Sequence, residues 1–172
     1  MKIVVAVSGA SGASLGLKLI DKLPKTYDIH LVLSEHAQVV LEKEEHVTLH
    51  DNSNIAASIA SGSFGVDAMM VVPCSMNTLA KIAHGIADNL ITRAAAVMLK
   101  ERKKLLLAPR EMPFSPIALE NMLKLATYGV IIAPPIAGFY SEQKNLEDME
   151  NFIMGRWLDQ LDIPHTLYKR WS

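Results

Sequence analysis

The stretch Lys2-Ile3-Val4-Val5-Ala6-Val7-Ser8-Gly9-Ala10-Ser11-Gly12 decides the fold. Its apolar run shows no polar alternation, which suits a strand buried on both faces, as the strands of a parallel sheet are. The run stops at a Ser/Gly turn, and a helical pattern opens at residue 12. Strand, glycine turn and helix in that order begin a βαβ unit. Glycines let backbone approach a ligand closely, and free N–H groups at a helix start attract phosphate. Ser8 and Ser11 add hydroxyl donors. The spacing is not G-x-G-x-x-G, and Gly16 falls in no suitable register for it. On these residues alone two readings stand: a phosphate cradle, or a tight strand–helix turn without a ligand.

The same alternation runs outward along the chain. With residues 2–8, the runs 28–33, 68–73, 104–108 and 129–133 read as strands. Helical patterns cover 12–23, 35–44, 54–60, 75–84, 89–102, 115–127 and 146–161, and residues 45–53 read as a polar loop. Pro24 ends the first helix. Asp88 can cap the helix beginning at Asn89, Ser115 with Pro116 reads as an N-cap with Pro at the first helical position, and Gly129 can close that helix. Asn145 before Leu146-Glu147-Asp148 marks another helix start, with acids suited to the dipole. The expected architecture is a doubly wound, Rossmann/flavodoxin-like α/β sheet, parallel and flanked by helices on both faces, in a single domain over 1–172.

Composition narrows the function classes. The 172 residues are half apolar and one-fifth charged, with a formal net charge of -1. That suits one globular domain and gives no global drive towards nucleic acid or an anionic membrane. One cysteine, Cys74, excludes an internal disulfide framework and suits a reducing compartment; it reads as a small buried residue ahead of a nucleophile. The N-terminal apolar run is too short for a signal peptide, and no stretch is long enough to span a bilayer, so a cytoplasmic protein is expected. His30, His36, His46, His50, His84 and His165 form no recognisable zinc pattern, so no metal is expected.

Three more features carry chemistry. Pro73-Cys74-Ser75-Met76-Asn77-Thr78-Leu79 follows another buried strand, and Ser34 follows the second, where ligands of open α/β sheets collect. Helix capping is the alternative for Ser75 and Ser34; three such sites at one rim favour a shared ligand. Arg93, Lys100, Arg110 and Arg156 are dispersed bases, and Arg110-Glu111 directly follows a buried run. For Lys100, Arg102, Lys103 and Lys104 the residue chemistry favours a solvated helix end. The loop Ala133-Pro134-Pro135-Ile136-Ala137-Gly138-Phe139-Tyr140 is stiffened by prolines, and either covers a ligand or packs on a neighbouring subunit.

Taken together, these segments resemble the UbiX-type flavin prenyltransferases along essentially the whole chain. The resemblance rests on Ser8–Gly12, Ile59-Ala60-Ser61-Gly62-Ser63, Pro73–Leu79, Thr92-Arg93-Ala94-Ala95 and Leu99-Lys100-Glu101-Arg102. It continues in Pro109-Arg110-Glu111, Glu120-Asn121-Met122-Leu123-Lys124, Gly138-Phe139-Tyr140 and Arg170-Trp171. It implies reduced FMN and an allylic monophosphate, dimethylallyl phosphate, joined at flavin N5 and C6, with the prenylated FMN passing to a UbiD-type decarboxylase and a link to ubiquinone biosynthesis. It implies FMN contacts from Gly9, Ala10, Ser11, Ser34, Ser75, Met76, Asn77, Thr78 and Arg110. Arg93, Lys100, Arg110, Tyr140 and Arg156 would bind the prenyl phosphate. Glu44 and Glu111 match acids that handle protons, Lys100 belongs with the catalytic set, and Trp171 matches an aromatic near the allyl group. The family forms homo-oligomers, commonly dodecamers, with sites between subunits, so distant residues meet across chains. Leu15 departs from the pattern, since many relatives carry an aromatic near that position, and the 45–53 region is short.

The stretch from Asn77 to Leu90 also resembles the flavin-dependent cysteine decarboxylases, but His46 and His50 do not clearly fill their catalytic histidine. Direct decarboxylation of hydroxybenzoates would use the same fold, and a non-catalytic flavin carrier would need only the FMN turn. Phosphate-suited bases favour prenyl transfer over these alternatives.

Overall fold

Six parallel strands lie in the order β3-β2-β1-β4-β5-β6 in the computed structural model, which describes residues 1–9, 12–34, 46–141 and 143–170. The strands are β1 (Lys2–Val7), β2 (Asp28–Leu33), β3 (Val47–Asp51), β4 (Ala68–Cys74), β5 (Lys104–Pro109) and β6 (Ile131–Ile132). The described α-helices are α1 (Ala13–Lys22), α2 (Met76–Ala83), α3 (Leu90–Lys100), α4 (Pro116–Thr127) and α5 (Leu146–Gln160). The strand order reverses between β1 and β4, which opens a crevice at their carboxyl ends.

Strand alternation divides the core into two layers. Ile3, Val5 and Val7 point to one face with Leu19 and Ile20 of α1 and Phe152, Trp157 and Leu158 of α5. Val4 and Ala6 point to the other face with Leu79 of α2, Ile91 and Met98 of α3, and Met122 and Leu125 of α4. The central strands are therefore apolar throughout because both faces are covered. Leu15 packs against the first layer, so its apolar character is used there.

Helix starts follow short-range chemistry. Ser115 accepts from Ala118 N with Pro116 behind it, and Asn145 accepts from Asp148 N, as the sequence indicates. Asn89 rather than Asp88 caps α3, because its side chain accepts from Thr92 N while Thr92 Oγ1 accepts from Asn89 N. Asp88 instead pairs with Lys81 at 2.6 Å.

Three expectations are corrected. Residues 45–53 hold a strand, since Val47–Asp51 pairs in parallel with β2 from Ile29↔Val47 to Leu33↔Asp51. β3 is an edge strand with much of its surface exposed, so it lacks the apolar run of a central strand. The 54–60 pattern yields only a 3-10 turn at Ser58–Ala60. Side chains there bond backbone locally, with Ser53 N donating to Asp51 Oδ1 and Ala56 N to Asn54 Oδ1, in competition with a helix. The last strand shrinks to Ile131–Ile132 ahead of the Pro134-Pro135 break. The expected helix at 35–44 lies outside the described residues.

Gly16 has a task that its register conceals. A Cβ placed there would stand 2.0 Å from the Val72 carbonyl oxygen of β4. α1 thus lies directly on β4, which brings its amino end to the crevice.

Candidate functional site

The crevice is lined by hydroxyls. Ser8 ends β1 and is buried. Its Oγ lies 2.6 Å from Thr78 Oγ1 and 3.0 Å from Ser75 Oγ, and it accepts from Ser75 N at 3.2 Å. Ser75 caps α2 by accepting from Thr78 N at 3.2 Å, so its capping reading holds and its cap is wired to β1. Ser34, just past β2, accepts from Gly9 N at 3.2 Å. Three strand ends therefore share one hydrogen-bonded rim. Gly9 (φ 101°) and Gly12 (φ 81°) take left-handed backbone that other residues rarely adopt, which turns the chain from β1 into α1. Gly12 caps α1 without a side chain, leaving the helix start to backbone N–H groups. Ala10 and Ser11 lie outside the described residues. Met76 is half-buried and Asn77 exposed on the first turn of α2.

Arg110 reaches this rim from β5. Its N–H donates to the Cys74 carbonyl at 3.3 Å, and its Cδ would lie 3.6 Å from a Cβ on Gly12. The guanidinium stem thus lies over the turn. Glu111 is exposed and accepts from Met112 N at 3.1 Å; among the described residues it makes no ion pair with Arg110. The two side chains leave adjacent positions of an extended segment and diverge. Cys74 is buried and burial pushes its thiol pKa far up, so it is a packing residue and not a nucleophile.

Tyr140 and Arg156 are brought to a second place, the outer face of α5. Phe152, Gly155, Arg156 and Asp159 are spaced i, i+3, i+4, i+7 and share a face. Tyr140 packs edge-on against Phe152 at 5.6 Å, and Tyr168 does so at 5.1 Å. Arg156 Nη1 donates to Asp159 Oδ2 at 3.0 Å and to Tyr168 Oη at 3.3 Å. Asp159 also accepts from His165, Tyr168 and Arg170. Burial alone would raise its carboxyl pKa; the bonds from Tyr168, Arg170 and His165 outweigh that and hold it down to about 2. α5 lies beside α1, joined by Lys18–Glu150 at 2.6 Å.

Arg93 and Lys100 form a third group on α3, both exposed. Lys100 pairs with Glu101 at 2.8 Å, which holds the Glu101 carboxyl below its usual range. Lys100 lines a cavity of about 800 Å³ with Lys103, Lys104, Lys124 and Tyr128. Lys104 begins β5 and Arg110 follows its end, a separation of about 20 Å of extended strand. Within one chain, then, Lys100 stands near the amino end of β5 and Arg110 at its carboxyl end, as the solvated-helix-end reading has it. Glu44 and Trp171 lie outside the described residues.

The histidine reading changes. His50 is not in a loop but in β3, and its Nε2 lies 2.9 Å from His30 Nδ1. Burial pushes both imidazole pKa values down, and at His50 the neighbouring His30 adds to this. His50 is thereby committed within the sheet. Among the described residues, no cluster of three His, Cys, Asp or Glu is placed to hold a metal, and no helix is long and apolar enough to cross a membrane.

Sequence reasoning left Asp159 out of the site and named Ser8 only as a possible donor. Ser8 could have been promoted from its place at the end of an apolar strand opposite Ser75. Asp159 had a weaker signal, its i+3 spacing from Arg156.

The sequence profile of the Flavoprotein family matches residues 1–158. The flavin prenyltransferase UbiX of Campylobacter jejuni is 48% identical, with 100% of this chain and 99% of that protein covered. A dodecameric FMN-dependent UbiX-like decarboxylase from Escherichia coli O157:H7 superposes with a TM-score of 0.93 at 41% identity, covering 100% of both chains. AnUbiX in complex with FMN and dimethylallyl pyrophosphate superposes with a TM-score of 0.92 at 41% identity, covering 99% of this chain and 97% of that one. With a hydroxyl-lined glycine turn at the sheet's switch point, this chain belongs to the Flavoprotein family and, within it, to the UbiX-type flavin prenyltransferases.

Proposed function

We propose that the protein joins a dimethylallyl group from dimethylallyl phosphate to reduced FMN at N5 and C6, yielding prenylated FMN for a UbiD-type decarboxylase. The observation that carries this reading is the rim of Ser8, Ser34, Ser75 and Thr78 around the Gly9–Gly12 turn, with Arg110 over it. The rim suits FMN: hydroxyls and backbone donors meet a phosphate and a polar ring edge, and no side chain at Gly9 or Gly12 fills the approach. Gly9, Ala10, Ser11, Ser34, Ser75, Met76, Asn77, Thr78 and Arg110 would hold it. When bound, reduced FMN supplies the nucleophilic atoms, so the protein needs no nucleophile of its own.

The remaining residues handle the leaving group. Arg110, Tyr140 and Arg156 bind the prenyl phosphate and draw off charge as the allylic C–O bond breaks. Arg93 and Lys100 join them from a neighbouring copy in a homo-oligomer, a dodecamer like that of the Escherichia coli relative. The solvated position of Lys100 in a single chain supports that arrangement. Glu111 and Glu44 move protons between flavin and phosphate, and the face of Trp171 stabilises positive charge on the allyl group. The reading sets the enzyme in the cytoplasm, where a reducing environment suits Cys74 and reduced flavin.

Incubation of the purified protein with reduced FMN and dimethylallyl phosphate should give a flavin adduct detectable by mass and absorbance. No adduct with any short prenyl phosphate or diphosphate would sink the reading. The Escherichia coli relative is described as a decarboxylase, so carbon dioxide from a hydroxybenzoate or cysteinyl substrate is the competing outcome. Glu111→Gln should keep FMN and slow adduct formation by about 100-fold or more, the scale of a lost general acid. A fully active variant would remove Glu111 from proton handling.

A further inference from the structure

Phosphate-binding arginines work only if their guanidinium groups are held before the ligand arrives. Long, flexible side chains otherwise lose rotamer freedom on binding and weaken it. Arg156 stands on the exposed side of α5 with half its side chain in solvent, yet it is anchored. Its anchor is Asp159, one helical turn on. This carboxylate carries four donors, two on each oxygen. Oδ2 accepts from Arg156 Nη1 at 3.0 Å and Tyr168 Oη at 2.5 Å. Oδ1 accepts from His165 Nε2 at 3.0 Å and Arg170 Nη2 at 2.7 Å. All the lone-pair directions of a carboxylate are in use.

The donors come from two segments, α5 and the chain that follows it. The return is tight: a Cβ on Gly155 would lie 2.5 Å from the Tyr168 ring and 2.8 Å from His165. His165 is buried, and its Nδ1 accepts from Leu167 N at 3.2 Å, which leaves Nε2 as the protonated nitrogen that donates to Asp159. Tyr168 stacks edge-on against Phe152, which also holds Tyr140. One carboxylate therefore fixes Arg156, Arg170 and the returning chain, and the chain braces the aromatic pair that seats Tyr140.

Charge is left over for an anion. Arg156 and Arg170 line one cavity of about 410 Å³ with Asp159, Asp162, Ile163 and Pro164. Asp162 is paired with Lys104, so among the described residues of the cavity Asp159 is the carboxylate bonded to the two guanidinium groups. Among the described residues Arg156 engages through Nη1 alone, which leaves its other N–H donors for a phosphate.

We propose that Asp159 is the positioning residue of the prenyl-phosphate end of the site, and that through it Arg170 joins Arg156 in binding the phosphate. This rests on the reading of Arg156 as a phosphate ligand. The test compares wild type, Asp159→Asn, Asp159→Glu and Arg170→Met as assembled proteins. Initial rates of adduct formation at varied dimethylallyl phosphate give KM and kcat, flavin fluorescence gives the FMN Kd, and hydrogen exchange with mass spectrometry follows residues 163–170. Asp159→Asn should raise KM about ten- to fiftyfold, with kcat changed less than about threefold and the FMN Kd within about twofold, because the rim at Ser8 and Ser75 is built from other elements. Arg170→Met should raise KM about tenfold, and Asp159→Glu should recover part of the loss. Exchange in 163–170 should rise in Asp159→Asn. An unchanged KM in Asp159→Asn, or a KM that rises only together with the FMN Kd, would overturn the assignment; so would unchanged exchange in 163–170. A wild type that forms no adduct would instead break the underlying reaction reading, and the exchange comparison would still judge the clamp.

Discussion

At Gly16 a side chain would meet backbone, the Val72 carbonyl of β4; at Gly155 it would meet the rings of Tyr168 and His165. The first neighbour is backbone and cannot move without moving the sheet, whereas the second is a pair of side chains on the segment that follows α5. That contrast extends to what each glycine serves. The rim beside Gly16 is made of hydroxyls and backbone groups whose partners sit on three adjacent strand ends, and its geometry is that of the sheet itself. The cluster beside Gly155 is made of charges and rings gathered onto one carboxylate by a segment outside the sheet. A rigid end suits the flavin, which must be oriented. On the proposed reading, an end where one carboxylate holds the guanidinium groups in advance suits a phosphate that arrives with the second substrate.

The hardest way to break the comparison is Gly16→Val. The added methyls would collide with the Val72 carbonyl oxygen, so α1 must lift from β4. The expected loss is about 3 kcal/mol or more, the upper range of core overpacking, read as a fall in thermal midpoint and in FMN retention together. A variant with wild-type stability would mean that α1 does not rest on β4 at this point. Ser8→Ala is milder and sharper. It leaves Ser75 N without its partner and the Thr78 hydroxyl with Ser75 Oγ alone, at a cost of about 1–3 kcal/mol. FMN should bind more weakly while KM for dimethylallyl phosphate holds. The reverse split would exchange the roles of the two ends.

Gly155→Ala should do less to stability. Alanine favours the helix by about 1 kcal/mol over glycine, which offsets displacement of the Tyr168 and His165 rings. The thermal midpoint should stay near wild type while KM for the prenyl phosphate rises severalfold. A large drop in midpoint would show that the Tyr168 and His165 rings cannot move aside at this point.

The same division explains what could be read from the chain. β1, β2, β4 and β5 were legible because both faces of each are buried and the apolar runs are near-continuous, with buried His30 the interruption in β2. β3 was not, since an edge strand needs no such run and Val47–Asp51 is largely exposed. The hydroxyl rim was legible because Ser8, Ser75 and Thr78 lie next to strand ends, where local pattern and crevice coincide. Gly16 lies outside the motif register, as its spacing indicates, and its close contact with Val72 has no local sequence signal. Asp159 escaped because its partners Arg156, His165, Tyr168 and Arg170 gather only once the chain turns back on α5. Lys100 resembled a solvated helix end, and within one chain it is one.

Acid separates the two ends by the least forceful means. The rim at Ser8, Ser34, Ser75 and Thr78 is built from hydroxyls, but β2, which ends just before Ser34, is joined to β3 by the His30–His50 pair. Burial lowers both imidazole pKa values from 6.5 in the folded protein. The unfolded chain therefore binds protons first as pH falls, so the stability these neutral rings contribute is complete above 6.5 and is lost as pH falls through their lowered folded values. Asp159 behaves as a depressed carboxylate: its contribution is complete above 3.8 and is lost as pH falls through about 2. On lowering pH from 7.5 to 4.5, hydrogen exchange should rise at residues 46–51 while residues 163–170 stay protected. Exchange rising first at 163–170 would mean that the carboxylate does not hold the chain end, and that the rigid and the clamped ends have been assigned the wrong way round.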